Sequence, residues 1–239
     1  MKRALVTGGS GGIGAAICKR LAADGHHVLV HANRSLDKAA AVVADIQATG
    51  GSAEAVAFDV TDRATTAAAL DTLLEGGAIQ ILVNNAGIHD DAVFPGMSGE
   101  QWDRVIDVSL NGFFNVTQPL TLPMIRTRWG RIVNVSSVAA VAGNRGQVNY
   151  SAAKGALHAA SKSLALELAS RGISVNVVAP GIIETGMSEG AFDAEAIRKL
   201  VPMQRAGQPE EVAELIAFLA SDKAAYISGQ VISINGGMI

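Results

Sequence analysis

Ala4-Leu5-Val6-Thr7-Gly8-Gly9-Ser10-Gly11-Gly12-Ile13-Gly14 is the stretch that decides the fold. Its first four residues read as a buried strand, and the run Ala15 to Ala23 that follows reads as a helix. Strand, glycine loop and helix, in that order, make a phosphate-binding turn. Glycines let the backbone come close to a pyrophosphate, and a helix N-terminus offers free N–H groups and a positive dipole. Two registers fit. Gly9, Gly11 and Gly14 match G-x-G-x-x-G, and Gly8, Gly12 and Gly14 match T-G-x-x-x-G-x-G.

Outward from this turn, apolar strand-like runs alternate with helical ones. Further strands are predicted at His27–His31, Ala53–Phe58, Ile79–Val83, Ile132–Ser137, Ile173–Val178 and Val231–Ile234. Helices are predicted at Leu36–Ala48, from Thr61 or Asp62 to Leu74, from Gly99 past Asn111 to Arg126, from Ala152 to Arg171, and from Pro209 to Ala220. Ser98 with Gln101 forms a capping-box pattern. Periodicity weakens across 182–208, which reads as a long substrate loop. No linker or repeat interrupts 1–239. The alternation implies an α/β protein: a single Rossmann-type domain, doubly wound on a parallel sheet of about seven strands.

Composition agrees. Of 239 residues, 49% are hydrophobic but only 4% aromatic, so Val, Ile, Leu and Ala must fill the core, as a sheet buried on both faces requires. A net charge of −3 argues against a nucleic-acid binder. The charged start Met1-Lys2-Arg3 precedes an apolar run too short for a signal peptide or a membrane span. Cys18 is the sole cysteine and sits in a helix's apolar stripe, as a structural thiol does in the cytoplasm. No metal ligands are assigned.

The chemistry gathers around Asn149-Tyr150-Ser151-Ala152-Ala153-Lys154. Tyr150 and Lys154 stand one helical turn apart on one face. An ammonium beside a phenol lowers its pKa and makes a proton donor. The tract His31-Ala32-Asn33-Arg34-Ser35, at the end of the second strand, holds no carboxylate and one arginine. A guanidinium there pairs with a 2′-phosphate, which favours NADPH. Asp59 accepts from an adenine amino group or serves a turn. Asn84-Asn85-Ala86-Gly87 ends a strand, as a ligand crevice would. Asn111 is a polar residue inside the run Val108 to Phe114, and Gly112 beside it hints at an irregular turn.

Taken in order, Thr7-Gly8-x-x-x-Gly12-Ile13-Gly14, Asp59, Asn84-Asn85-Ala86-Gly87, Asn111, Ser137, Tyr150-x-x-x-Lys154 and Pro180-Gly181 resemble the short-chain dehydrogenase/reductase family along essentially the whole chain. Gly143 to Tyr150, Asn176 to Thr185 and the terminal Asn235-Gly236-Gly237-Met238 look most like its 3-oxoacyl-(acyl-carrier-protein) reductases. The resemblance implies NADPH-dependent reduction of a 3-oxoacyl thioester in fatty-acid synthesis. The close alternative is a 3-oxoacyl-CoA reductase or another secondary-alcohol dehydrogenase. A silent dinucleotide-binding regulator would need only the glycine loop.

The resemblance also implies roles. Tyr150 protonates the developing alkoxide, Lys154 lowers its pKa and bonds the nicotinamide ribose, and Ser137 orients the carbonyl. Asn111 holds a water that relays protons to Lys154. Ser136 competes for the Ser137 role, and the family spacing of thirteen residues before Tyr150 selects Ser137. The cofactor is expected against Gly8, Ser10, Gly12, Ile13 and Gly14, then Asn33, Arg34, Asp59 and Val60. Beyond these come Asn85, Ala86 and Gly87, the Tyr150–Lys154 pair, and Pro180, Gly181, Ile183 and Thr185. Arg128 and Arg171 are candidates to dock an acidic acyl carrier protein near the site mouth. His89-Asp90-Asp91 departs from the basic tract those reductases carry there, and Gly186 stands where many have Asp. The family implies a homotetramer.

Overall fold

The structure, a computed structural model, describes residues 1–186 and 193–239. Its elements run β1 (Arg3–Val6), α1 (Gly12–Ala23), β2 (His27–Ala32), α2 (Leu36–Ala48), β3 (Ser52–Ala57), α3 (Arg63–Glu75), β4 (Ile79–Asn84) and α4 (Gly99–Ile106). A π-helical turn at Asp107–Asn111 joins α4 to α5 (Gly112–Thr127). There follow β5 (Gly130–Val135), α6 (Ala139–Ala142), α7 (Val148–Leu168), β6 (Ile173–Pro180), α8 (Ala194–Leu200), α9 (Pro209–Ala220) and β7 (Val231–Ile234).

The seven strands form one sheet in the order β3-β2-β1-β4-β5-β6-β7, and every pairing is parallel. Strands this rich in Val, Ile and Leu suit a sheet covered on both faces. Side chains alternate across it. Ala4 and Val6 face a layer with Ile17 and Leu21 of α1 and Ile216 of α9, whereas Leu5 faces Leu70 of α3, Leu120 of α5 and Leu168 of α7. The chain reverses its winding between β1 and β4. The crevice beyond the carboxyl ends of those strands is where such sheets bind ligands.

Two local differences from the sequence reading matter for the site. The predicted continuous helix from Gly99 is broken by the π turn, so one extra residue shifts which side chains face inward. The predicted loop over 182–208 contains α8, capped by Asp193, whose carboxylate accepts from the Ala196 N–H at 2.7 Å. Its ends are drawn together by a bridge between Ile183 and Gly207. Residues 187–192 of that segment lie outside the described residues. Among the described residues, no helix is long and apolar enough to cross a membrane, and no cluster of His, Cys, Asp and Glu could hold a metal ion.

Candidate active site

The glycine turn leaves the carboxyl end of β1 with Gly8 at φ 63° and Gly12 at φ 51°, a backbone region that side-chain-bearing residues rarely adopt. A Cβ on Gly14 would stand 2.1 Å from the Gly8 carbonyl oxygen, so turn and helix meet without room for one. No side chain caps α1 and no acid lies in its first turn, which leaves its N–H groups open to an anion. These features fit a pyrophosphate. Thr185 reaches the same turn: its Cγ2 lies 3.3 Å from where a Gly12 Cβ would be.

The end of β4 is stitched to the end of β1. Thr7 Oγ1 accepts from the N–H groups of Asn85 and Ala86, both at 3.0 Å, and Asn85 Nδ2 donates to the carbonyls of Thr7 and Gly8 at 3.0 and 3.1 Å. Asn84 has a different task. It is buried and donates to Thr117 Oγ1 at 2.9 Å and Asn134 Oδ1 at 2.8 Å, bracing β4 against β5 and α5. At the end of β2, Asn33 and Arg34 are exposed. Arg34 Nη2 lies 4.0 Å from Asp59 Oδ2. Asp59 accepts chiefly from Thr61, through both its hydroxyl and its N–H, and these bonds hold the carboxyl pKa below its ordinary value. Val60 is buried and packs where Gly112 opens α5. Pro180 ends β6, and its carbonyl accepts from the Val138 N–H at 2.7 Å. Gly181 donates to Ile234 O at 2.9 Å, and Ile183 beyond it is buried.

Tyr150 and Lys154 lie on the first turns of α7. Lys154 is buried, and its Nζ donates to Val135 O at 2.9 Å and stands 5.9 Å from the Tyr150 ring centroid. Burial pulls the Lys154 pKa down to about 8. Ser137 lies beside the Tyr150 phenol and opposes the rise of its pKa, and its Oγ accepts from the Ala139 N–H at 3.2 Å. Ser136 turns away: its hydroxyl lies 3.1 Å from Lys154 O and 2.7 Å from His158 Nε2. The structure thus brings Ser137, Tyr150 and Lys154 together beside the crevice. Against expectation, the Tyr150 pKa goes up. Burial is the main cause and the Asp91 carboxylate adds to it, while Ser137 opposes. The ammonium is engaged by Val135 and sits under the ring, so desolvation outweighs it.

Asn111 requires correction. It is exposed, and its Nδ2 donates to Asp107 Oδ1 at 2.6 Å, one turn back. The side chain of this turn that faces the site is Ser109, which is 3% exposed. Its Oγ lies 3.6 Å, and Lys154 Nζ 2.8 Å, from the point a Gly87 Cβ would occupy. Among the described residues the Ser109 hydroxyl has no hydrogen-bond partner, and it borders a small cavity of about 10 Å³, lined also by Thr7 and Asn84, about the size of one water. Asn149, another residue the sequence reading passed over, is fully buried. It donates to Asp90 O at 2.9 Å and Gln101 O at 3.1 Å and accepts from the Tyr150 N–H at 2.8 Å, fixing the tyrosine to α4. An asparagine directly before the tyrosine was the available signal.

Arg128 and Arg171 also require correction. They come together, with Arg128 Nη2 donating to Ser170 O at 3.4 Å. They do so just before β5 and β6, at the amino end of the sheet, whereas Ser137 lies past the carboxyl end of β5. A strand of six residues separates the two ends by roughly 20 Å. Within one chain they do not line the site mouth. The wall after Gly87 is shaped instead by His89, whose Nδ1 lies 3.1 Å from Asp91 Oδ1, and by Asp90, which Gln101 and Arg104 hold. Arg104 thus places a cation beside Asp90 of that tract.

Known proteins match along the same lines. The short chain dehydrogenase family matches residues 2–196. The 3-oxoacyl-(acyl-carrier-protein) reductase FabG of Aggregatibacter actinomycetemcomitans is 46% identical over 236 residues, covering 98% of each chain. The 3-oxoacyl-(acyl-carrier-protein) reductase of Synechocystis sp. is 48% identical over 99% of this chain and 96% of its own. Nodulation protein G of a Rhizobium species is 44% identical over the same shares.

Proposed function

The chain belongs to the short chain dehydrogenase family, and on that premise we propose that it reduces 3-oxoacyl groups on acyl carrier protein to 3-hydroxyacyl groups with NADPH, as a step of fatty-acid synthesis. The observation that carries this reading is the meeting of Ser137, Tyr150 and Lys154 at the carboxyl end of the sheet, beside an uncapped glycine turn. Near-full-length identity to two reductases of that name supports the substrate.

The dinucleotide, when bound, supplies the hydride to the carbonyl carbon. The glycine turn with Ser10, Ile13 and Thr185 would hold its pyrophosphate, Asp59 and Val60 its adenine, and Asn33 and Arg34 its 2′-phosphate. Asn85 to Gly87 and Pro180 to Ile183 would hold the nicotinamide end. Ser137 donates to the carbonyl oxygen and fixes it within reach of Tyr150. As the C=O π pair moves onto oxygen, Tyr150 Oη gives up its proton and is left as phenolate. A phenol whose pKa burial keeps high arrives protonated, as an acid must. Lys154, protonated at neutral pH, stabilises the phenolate and bonds the ribose. A water held beside Ser109, rather than one on Asn111, would link Lys154 to a proton supply.

The whole chain acts as one domain of the cytoplasm, and 182–208 borders the substrate. Phe114 and Leu122 on α5 and Leu166 on α7 expose apolar surface, which supports assembly into a homotetramer. The test of substrate is a steady-state comparison of 3-oxoacyl groups on carrier protein and on coenzyme A, each with NADPH and NADH. Preference for carrier protein with NADPH is expected. Equal or faster turnover of the coenzyme A thioester would reassign the substrate.

A further inference from the structure

His31 is a histidine in a strand where an aliphatic residue would serve. It lies in β2, is 1% exposed, and both its nitrogens are engaged. Nδ1 is 3.1 Å from the Gly8 N–H and Nε2 is 2.8 Å from the Phe58 carbonyl oxygen. A backbone N–H only donates and a carbonyl only accepts, so one tautomer satisfies both: Nδ1 bare and Nε2 carrying the proton. The ring also packs on Phe58, centroid to centroid at 4.2 Å. Burial pushes its pKa down to about 4, which keeps it neutral.

The two groups it bonds belong to different parts of the crevice. Gly8 is the first glycine of the phosphate turn. Its carbonyl is already held by Asn85, so with His31 on its N–H the residue is held from both sides. Phe58 leads directly into Asp59 and Val60, the adenine wall. We propose that His31 is a positioning residue for the dinucleotide, joining the phosphate turn and the adenine wall into one preorganised cradle. Preorganisation of this kind raises affinity by removing the cost of ordering the turn on binding. The inference rests on the cofactor reading above.

Because His31 touches features shared by both dinucleotides, its loss weakens NADPH and NADH alike, whereas Arg34→Ala weakens NADPH much more than NADH. The experiment is calorimetric titration of NADPH and NADH into wild type, His31→Leu, His31→Asn and His31→Gln, with circular dichroism and the cofactor-free Tm of each. Asn sets an acceptor near the place of Nδ1, and Gln a donor near the place of Nε2. His31→Leu is expected to raise both Kd values by about tenfold or more, and His31→Asn to recover most of that, with His31→Gln in between. Folded His31→Leu protein that binds NADPH within about twofold of wild type overturns the proposal. Should His31→Leu not fold, Asn and Gln variants of equal affinity overturn it instead. Wild-type protein that binds neither dinucleotide would sink the cofactor reading itself, a result distinct from both.

Discussion

The two ends of the sheet treat buried polar groups in opposite ways. At the amino end, Arg131 is 3% exposed and engaged on every nitrogen: it donates to Gly130 O, Gly172 O and Ser221 O and reaches Asp222 at 3.4 Å. Its guanidinium and the Lys2 ammonium each stack on Trp129, 4.2 Å from the ring centroid, and Trp129 Nε1 donates to Asp222 at 2.9 Å. At the carboxyl end, Lys154 is equally buried but has three donors and a carbonyl at 2.9 Å, and Ser109 Oγ has no partner among the described residues. Native proteins leave few buried polar groups unsatisfied, and those left over call for an explanation. The amino end closes on itself as a scaffold. The carboxyl end leaves polar capacity open, as a site that a ligand would complete does.

The contrast can be broken at several points. The largest effect is expected at Lys154: Lys154→Met should lower kcat by about 10²-fold or more, the size of a lost contribution to acid catalysis, as read by single-turnover NADPH oxidation. A comparable free energy is expected from His31 in acid. Its folded pKa of about 4 lies below the ordinary value of 6.5, so the unfolded chain takes up the proton first. Stability from this group is whole above pH 6.5 and is lost as pH falls toward 4, by about 3 kcal/mol in total. Asp59, paired with Arg34, is the carboxylate facing the ring, and it stays ionised there because its own pKa is lowered. Urea titrations across that range should show a flatter acid limb in His31→Asn.

Smaller effects sharpen the comparison. Arg131→Met should cost about 2 kcal/mol of stability by stranding the carbonyls it serves, while kcat stays within about twofold. A large loss of kcat would mean the amino end takes part in catalysis. Ser109→Ala should lower kcat roughly fivefold, the worth of about one hydrogen bond, whereas Asn111→Ala should leave it unchanged. The reverse pattern would restore Asn111 to the site.

Most of this architecture was legible in the sequence because it is local. Runs such as Ile81-Leu82-Val83 and Val175 to Val178 are strands in any reading, and the glycines after Thr7 announce the turn they make. Ser137, Tyr150 and Lys154 were singled out and do meet. What escaped depended on quantities a string of letters does not display. The π turn changed the helical phase, so Ser109 and not Asn111 faces Lys154. The sense of the strands decided that Arg128 and Arg171, close to Ser137 and Tyr150 along the chain, lie at the far end of the sheet. Burial reversed the direction of the Tyr150 pKa. The helix α8 was the avoidable miss: Asp193 as cap, Glu195 in the first turn and Arg198 and Lys199 in the last are ordinary end signals.

The central claim is that Tyr150 delivers the proton in an NADPH-dependent carbonyl reduction. Its most direct test is the rate of NADPH oxidation on a 3-oxoacyl carrier-protein substrate by wild type and Tyr150→Phe, alongside the NADPH Kd of each. The account predicts turnover in the wild type and a loss of about 10³-fold in the variant with Kd little changed. A phenylalanine enzyme that turns over at the wild-type rate would contradict it.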